Sequence, residues 1–129
     1  MAENKNYLVQ KQEGGNILIS EEVIASIAAL AVRDVEGVYG LSVSQVLDFS
    51  NILRKKNLGK GIRVTFTEDS MDIACNLVVM MGSPVMAVAR NVQEAIADAV
   101  TSMTGTAPLH VHVNVCGVAV PKETKPAVQ

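Results

Sequence analysis

His110-Val111-His112 is the first place in this sequence to look for chemistry. Residues two apart on a strand project from the same face, so the two imidazoles are positioned to grip one metal ion. A stable centre needs three or four ligands. Cys116 is a candidate for the same face, but Gly117 beside it invites a bulge, and no Asp or Glu lies close in sequence. With two ligands the metal reading falls short, and both histidines are expected on a solvated face among Thr and Asn.

The two cysteines form neither a metal motif nor a disulfide framework. Cys75 falls on the apolar side of its strand, where a thiol acts as a small hydrophobe. A catalytic thiol would need exposure and an activating base, and nothing in the sequence brings a histidine to it. Lys60 lies between Gly59 and Gly61, but the phosphate-binding pattern Gly-x-x-x-x-Gly-Lys-[Ser/Thr] is absent. No Ser-His-Asp set can be assembled. The expectation is no catalytic residue, no cofactor and no metal, so the chain is read as a non-enzyme.

A different kind of function is suggested by Ser44 to Lys56. Ser44 is a candidate cap for a helix whose apolar residues Val46, Leu47, Phe49, Ile52 and Leu53 cover more than half its circumference. That is too wide for a surface helix with one buried stripe. The helix closes on the basic run Arg54-Lys55-Lys56, followed by Lys60. Such a run is either a solvated helix end that suits the dipole or a patch for an acidic partner, an RNA or an anionic surface. Val46, Phe49, Ile52, Leu53, Arg54, Lys55, Lys56 and Lys60 are the expected partner contacts. Val78 and Met80, on an otherwise polar sheet face, add to that expectation.

The elements that would position these groups are legible from periodicity. Residues 1–15 are polar, end in Gly14-Gly15 and read as a flexible arm. Asn16 to Ile19 reads as a short strand. Ser20 caps a helix over 21–35, with Glu21 and Glu22 in its first turn and Gly37 as its stop. Val38 to Val43 is expected as a strand, Ile62 to Thr67 and Met71 to Met81 as a hairpin. Ser83 is expected as cap, with Pro84 at the first helical position, of a helix ended by Gly105. Val85, Val88, Ala89, Val92, Ile96, Val100 and Met103 would line its apolar face. Leu109 to Val115 is the last strand, and residues 119–129 read as a disordered tail.

Ile62, Val64, Phe66, Ile73, Cys75, Leu77, Val79, Leu109, Val111, Val113 and Val115 share one side of the predicted sheet. Arg63, Thr65, Asp72, Asn76, His110, His112 and Asn114 share the other. The fold class is therefore α+β, a two-layer sandwich with a mostly antiparallel sheet and helices packed on one face. Residues 16–118 form its single domain. The chain has 129 residues, 49% hydrophobic and only 3% aromatic, so Val, Ile, Leu, Ala and Met must build the core. A net charge of −2 and few aromatics for base stacking speak against a nucleic-acid module. The polar N-terminus shows no signal peptide, and no apolar run approaches the ~18 residues of a membrane span. A cytoplasmic location is expected.

Four stretches in order carry a family resemblance. They are Gly15-Asn16-Ile17-Leu18-Ile19-Ser20-Glu21-Glu22-Val23-Ile24, then Val35-Glu36-Gly37-Val38, then Lys60-Gly61-Ile62-Arg63-Val64. The fourth runs from Val92-Gln93-Glu94-Ala95-Ile96 through Met103-Thr104-Gly105 to Val111-His112-Val113-Asn114-Val115-Cys116-Gly117-Val118. Together, over roughly residues 15–118, they resemble the alkaline shock protein family, also called the Gls-type envelope stress response family. The resemblance implies a small cytoplasmic α+β domain, mainly of Gram-positive bacteria, with no established enzymatic activity and no catalytic residues to carry over. It implies self-association and, for some members, residence beneath the membrane through a membrane-anchored partner. For others it implies an influence on fatty-acid synthesis, here through contacts with an acetyl-CoA carboxylase-type complex. The leading expectation is a non-catalytic, self-associating or partner-binding protein of envelope stress response or homeostasis. Regulation of fatty-acid synthesis is the alternative.

Overall fold

Ser20 ends a strand and starts a helix, and the fold is organised from that junction. The computed structural model describes residues 7–42, 61–67 and 70–120. Strand β1 (Tyr7–Gln12) pairs antiparallel with β2 (Gly15–Ser20). Helix α1 (Glu21–Arg33) follows without a linker. The Ser20 hydroxyl accepts a hydrogen bond from the Val23 N–H at 3.3 Å, supplying one of the four partners that a helix N-terminus lacks. Ile24, Ala25, Ile27, Ala28 and Val32 are buried at helical spacing. The helix stops at Asp34, two residues earlier than the periodicity suggests, and Val35 packs on the core from the turn. Gly37 takes a left-handed φ of 94° beyond that cap rather than at it.

The chain then builds a four-stranded sheet from β3 (Val38–Leu41), β4 (Ile62–Phe66), β5 (Met71–Met80) and β6 (His110–Ala119). β5 is central. One edge pairs antiparallel with β4 along its first half and with β3 along its second. The other edge pairs along most of its length with β6, in parallel. β3 and β4 are thus nearly collinear, meeting at Asn76. The Ser42 N–H donates to the Asn76 carbonyl, and the Asn76 N–H donates to the Gly61 carbonyl, each at 2.9 Å. Ser42 and Gly61 thus stand on either side of one β5 residue.

A parallel β5–β6 pair needs a crossover, which is helix α2 (Val85–Thr104). Val88, Val92, Ile96, Val100 and Thr104 are buried, each four residues from the last. Val85 and Met103, expected on the same face, belong to the first and last turns and are exposed. Pro84 itself is the cap, with an extended ψ of 107°, so the helix begins one residue later than the Ser-Pro signal suggests and no side chain caps it. Gly105 ends it as expected, left-handed at φ 81°, with its N–H on the Thr101 carbonyl.

The buried apolar side chains of both helices join Val64, Phe66, Met71, Ile73, Cys75, Leu77 and Val79 in one core cluster. α1 contacts α2, β3 and β4, and α2 contacts β6. The α+β class with mostly antiparallel pairing is the observed one.

Two regions depart from the sequence reading. Residues 7–12, expected within an arm, form β1. Leu8 is buried, and the Gln10 amide donates to the Thr104 carbonyl at 2.7 Å and to the Thr106 hydroxyl at 3.0 Å, pinning the hairpin to the end of α2. The last strand runs on to Ala119 rather than ending at Val115. Its register slips where Leu77 faces Val115 and Val78 faces Gly117, which leaves Cys116 as the extra residue of a bulge. Val111 and Val113 pack on the core, whereas Leu109, just before the strand, and Val115, beside the bulge, are exposed. The helix expected over 44–56 lies outside the described residues.

Candidate functional site on the open sheet face

Met71, Ile73, Cys75, Leu77 and Val79, on one side of β5, lie in the core cluster with the buried apolar residues of both helices. The other side presents every second residue of β5, namely Asp72, Ala74, Asn76, Val78 and Met80, all half-buried. Flanking them are His110, His112 and Asn114 on β6 and Arg63 and Thr65 on β4, all exposed. The parallel register sets these side chains out as rungs: Asp72 opposite His110, Ala74 opposite His112, Asn76 opposite Asn114.

Two of the three rungs are chemically paired. The His110 Nδ1 and the Asp72 Oδ1 are 3.1 Å apart. The Asn114 amide donates to the Asn76 Oδ1 at 3.2 Å. The His110 and His112 rings stack with centroids 5.6 Å apart and planes 27° from parallel. One ligand atom from each of Asp72, His110 and His112 lies within 4.8 Å of the other two.

The two histidines therefore share a face as their spacing predicts. The acid missing from their sequence neighbourhood comes from β5, far away in the chain. Asp72 is legible as a residue of the polar face, but its position beside His110 depends on the register of a parallel pair, which no local pattern encodes. The bulge expected near Gly117 is present, and the Cys116 thiol sits against the Asn114 carbonyl at 3.6 Å rather than beside the histidines. The expected contact residues Val46, Phe49, Ile52, Leu53, Arg54, Lys55, Lys56 and Lys60 lie outside the described residues.

Cys75 is buried, as its place on the apolar side implies. Burial first, and the Cys116 thiol second, push its pKa up to about 11 from an ordinary value of 9.0. The thiol stays protonated at neutral pH, which makes it a poor nucleophile. At pH 8 an aromatic disulfide reagent should titrate the exposed Cys116 at once, while Cys75 reacts at least ~100-fold more slowly until the protein unfolds. Two equally fast thiols would show that the core around Cys75 opens. The unfolded thiol ionises near its ordinary value while the folded one keeps its proton. The unfolded state thus binds fewer protons in that window, and this group's contribution to stability is lost as pH rises from about 9 to about 11.

A second surface feature lies outside the sheet. A groove of about 460 Å³ runs between α1 and α2, lined by Val23, Ile27, Leu30, Ala99 and Met103 with Glu22 and Asp34 at its rim. Among the described residues no helix is long and apolar enough to cross a membrane.

Residues 9–120 match the model of the alkaline shock protein 23 family, described as having a cell envelope-related function. Among curated relatives, the uncharacterized protein YloU of Bacillus subtilis is 36% identical over 108 residues, covering 82% of this chain and 90% of that protein. The uncharacterized protein Spy1535 of Streptococcus pyogenes is 32% identical over 114 residues, covering 87% and 85%. Among solved structures, a MamM C-terminal domain superposes with a TM-score of 0.47 at 17% identity, covering 74% of this chain and 95% of that one, too distant a likeness to bear on function. With its ordered motifs and nearly the whole domain matched, the chain belongs to the alkaline shock protein family, whose function is related to the cell envelope.

Proposed function

We propose that this chain is a non-catalytic protein of cell-envelope homeostasis or stress response that works through protein contacts, first of all with a second copy of itself. The observation that carries self-association is the outer edge of β6. Among the described residues that edge pairs with no strand, and a single side chain, the Gln93 amide, reaches over it to the Val111 carbonyl. Long unpaired edges are normally blunted by charges or proline. The ten residues from His110 to Ala119 contain no Asp, Glu, Lys, Arg or Pro. The bulge at Cys116 divides the edge but leaves His110–Val115 as an uninterrupted run. Two such edges pairing antiparallel across a two-fold axis would satisfy each other's backbone groups, an isologous contact.

Sedimentation of the full chain tests this. The protein should run as a dimer or larger species. The double variant Asn114→Lys, Val118→Lys should weaken association at least tenfold while leaving the circular dichroism unchanged. A monomeric wild-type chain at high micromolar concentration would exclude the edge contact. Crosslinking in cells, with membrane and soluble fractions kept apart, then addresses the partner. Self-crosslinks with a small membrane protein support the envelope role, whereas lipid-synthesis enzyme subunits in the soluble fraction would replace it with a metabolic one.

A further inference from the structure

We propose that Asp72, His110 and His112 bind one divalent transition-metal ion of the zinc(II) type on the open face of the sheet. Two histidines alone fall short of a metal centre. The parallel β5–β6 register removes that shortfall by placing the Asp72 carboxylate opposite His110. Two ligands each about 2.1 Å from a tetrahedral ion are about 3.4 Å apart. The His110 Nδ1 and Asp72 Oδ1, at 3.1 Å, already stand near that separation. One ligand atom from His112 lies within 4.8 Å of one from each of Asp72 and His110. His112 is exposed, and the residue opposite it is Ala74, whose methyl group leaves the space between the strands open. Rotation about its side-chain torsions can bring it the remaining distance.

The donor set decides the class of ion. Two imidazoles and one carboxylate suit Zn²⁺, Co²⁺, Ni²⁺ or Cu²⁺, whereas Mg²⁺ and Ca²⁺ prefer all-oxygen shells. One carboxylate and two neutral imidazoles would leave the bound centre with one net positive charge. Among the described residues, Arg63 on β4, opposite Ala74 in register, is the charged side chain on this face that opposes binding. Three protein ligands leave at least one coordination position for water or for a group from a partner, the pattern of an open rather than a closed site. The ligands sit on adjacent strands of the rigid sheet, so little backbone ordering is needed on binding.

The test uses the full chain free of any histidine tag, with Zn²⁺ measured by competition against a chromophoric chelator at pH 7.5. One Zn²⁺ per chain should bind with a dissociation constant in the micromolar range or below. Co²⁺ should give the intense visible bands of a low-coordinate, imidazole-containing site. His110→Ala, His112→Ala and Asp72→Asn should each weaken Zn²⁺ about tenfold or more and abolish the cobalt bands. Cys116→Ser should change nothing, and millimolar Mg²⁺ should not compete. Circular dichroism checks each variant's fold, with His112→Asn in reserve should the alanine variant unfold. Wild-type binding weaker than about 100 micromolar, unaltered affinity in Asp72→Asn, or loss of binding in Cys116→Ser would each overturn the assignment.

Discussion

Replacing Leu77 with alanine should destabilise the protein by about 3–4 kcal/mol, against a total stability of about 5–15 kcal/mol for a domain of this kind. Leu77 is fully buried and lies in the middle of β5, among the described residues the one strand with partners on both edges. It pairs with Leu41 of β3 on one side and Val115 of β6 on the other. Its side chain joins the core cluster that both helices share. Truncation removes the transfer energy of three carbons and leaves a cavity, which a central strand held on both edges cannot collapse to fill. In urea, with a slope of about 1.5 kcal/mol/M, the midpoint should fall by about 2 M. Val118→Ala is the control: Val118 is 47% exposed, so its loss should stay within about 0.5 kcal/mol. A Leu77 variant as mild as the control would mean that β5 is not the centre of the core.

Leu77 and Val118 differ in what surrounds them, and that difference separates what local sequence encodes from what it does not. Helices α1 and α2 and strands β3 to β5 are visible because each side chain's face repeats at 3.6 or 2.0 residues, whatever the rest of the chain does. Cys75, Leu77 and Val79 are readable as core for that reason, and they are buried. Val115 has the right parity too, but its exposure depends on lying at an edge next to a bulge, which is decided by pairing across the sheet. The Tyr7–Gln12 strand escapes the periodicity because its amphipathicity is slight. It is held by Leu8 in the core and by Gln10 on the end of α2, contacts that span most of the chain. The candidate metal ligands divide the same way. His110 and His112 declare their shared face through spacing alone, while Asp72 joins them through a register set by the β5–α2–β6 crossover.

Gly61→Ala should cost about 3 kcal/mol or more, and the reason lies in the junction between β3 and β4. Gly61 holds φ at 85°, in the left-handed region that costs a residue with a Cβ about 1–2 kcal/mol. A Cβ there would also stand 2.8 Å from the Ser42 carbonyl oxygen and 2.9 Å from the Leu41 Cβ. The nearest of these is backbone, so relief requires moving β3 away from β4. That movement would strain the hydrogen bonds that Ser42 and Gly61 make to Asn76. Gly105→Ala separates the two costs. Gly105 has nearly the same φ, 81°, but nothing lies within 4 Å of the position its Cβ would take. It should therefore lose only the conformational part, about 1–2 kcal/mol. The difference between the two variants, read by urea denaturation, measures how tightly the collinear strands meet. Equal losses would mean that the junction yields. A larger loss at Gly61 would mean that Ser42 and Gly61 are held at one rigid point on the sheet.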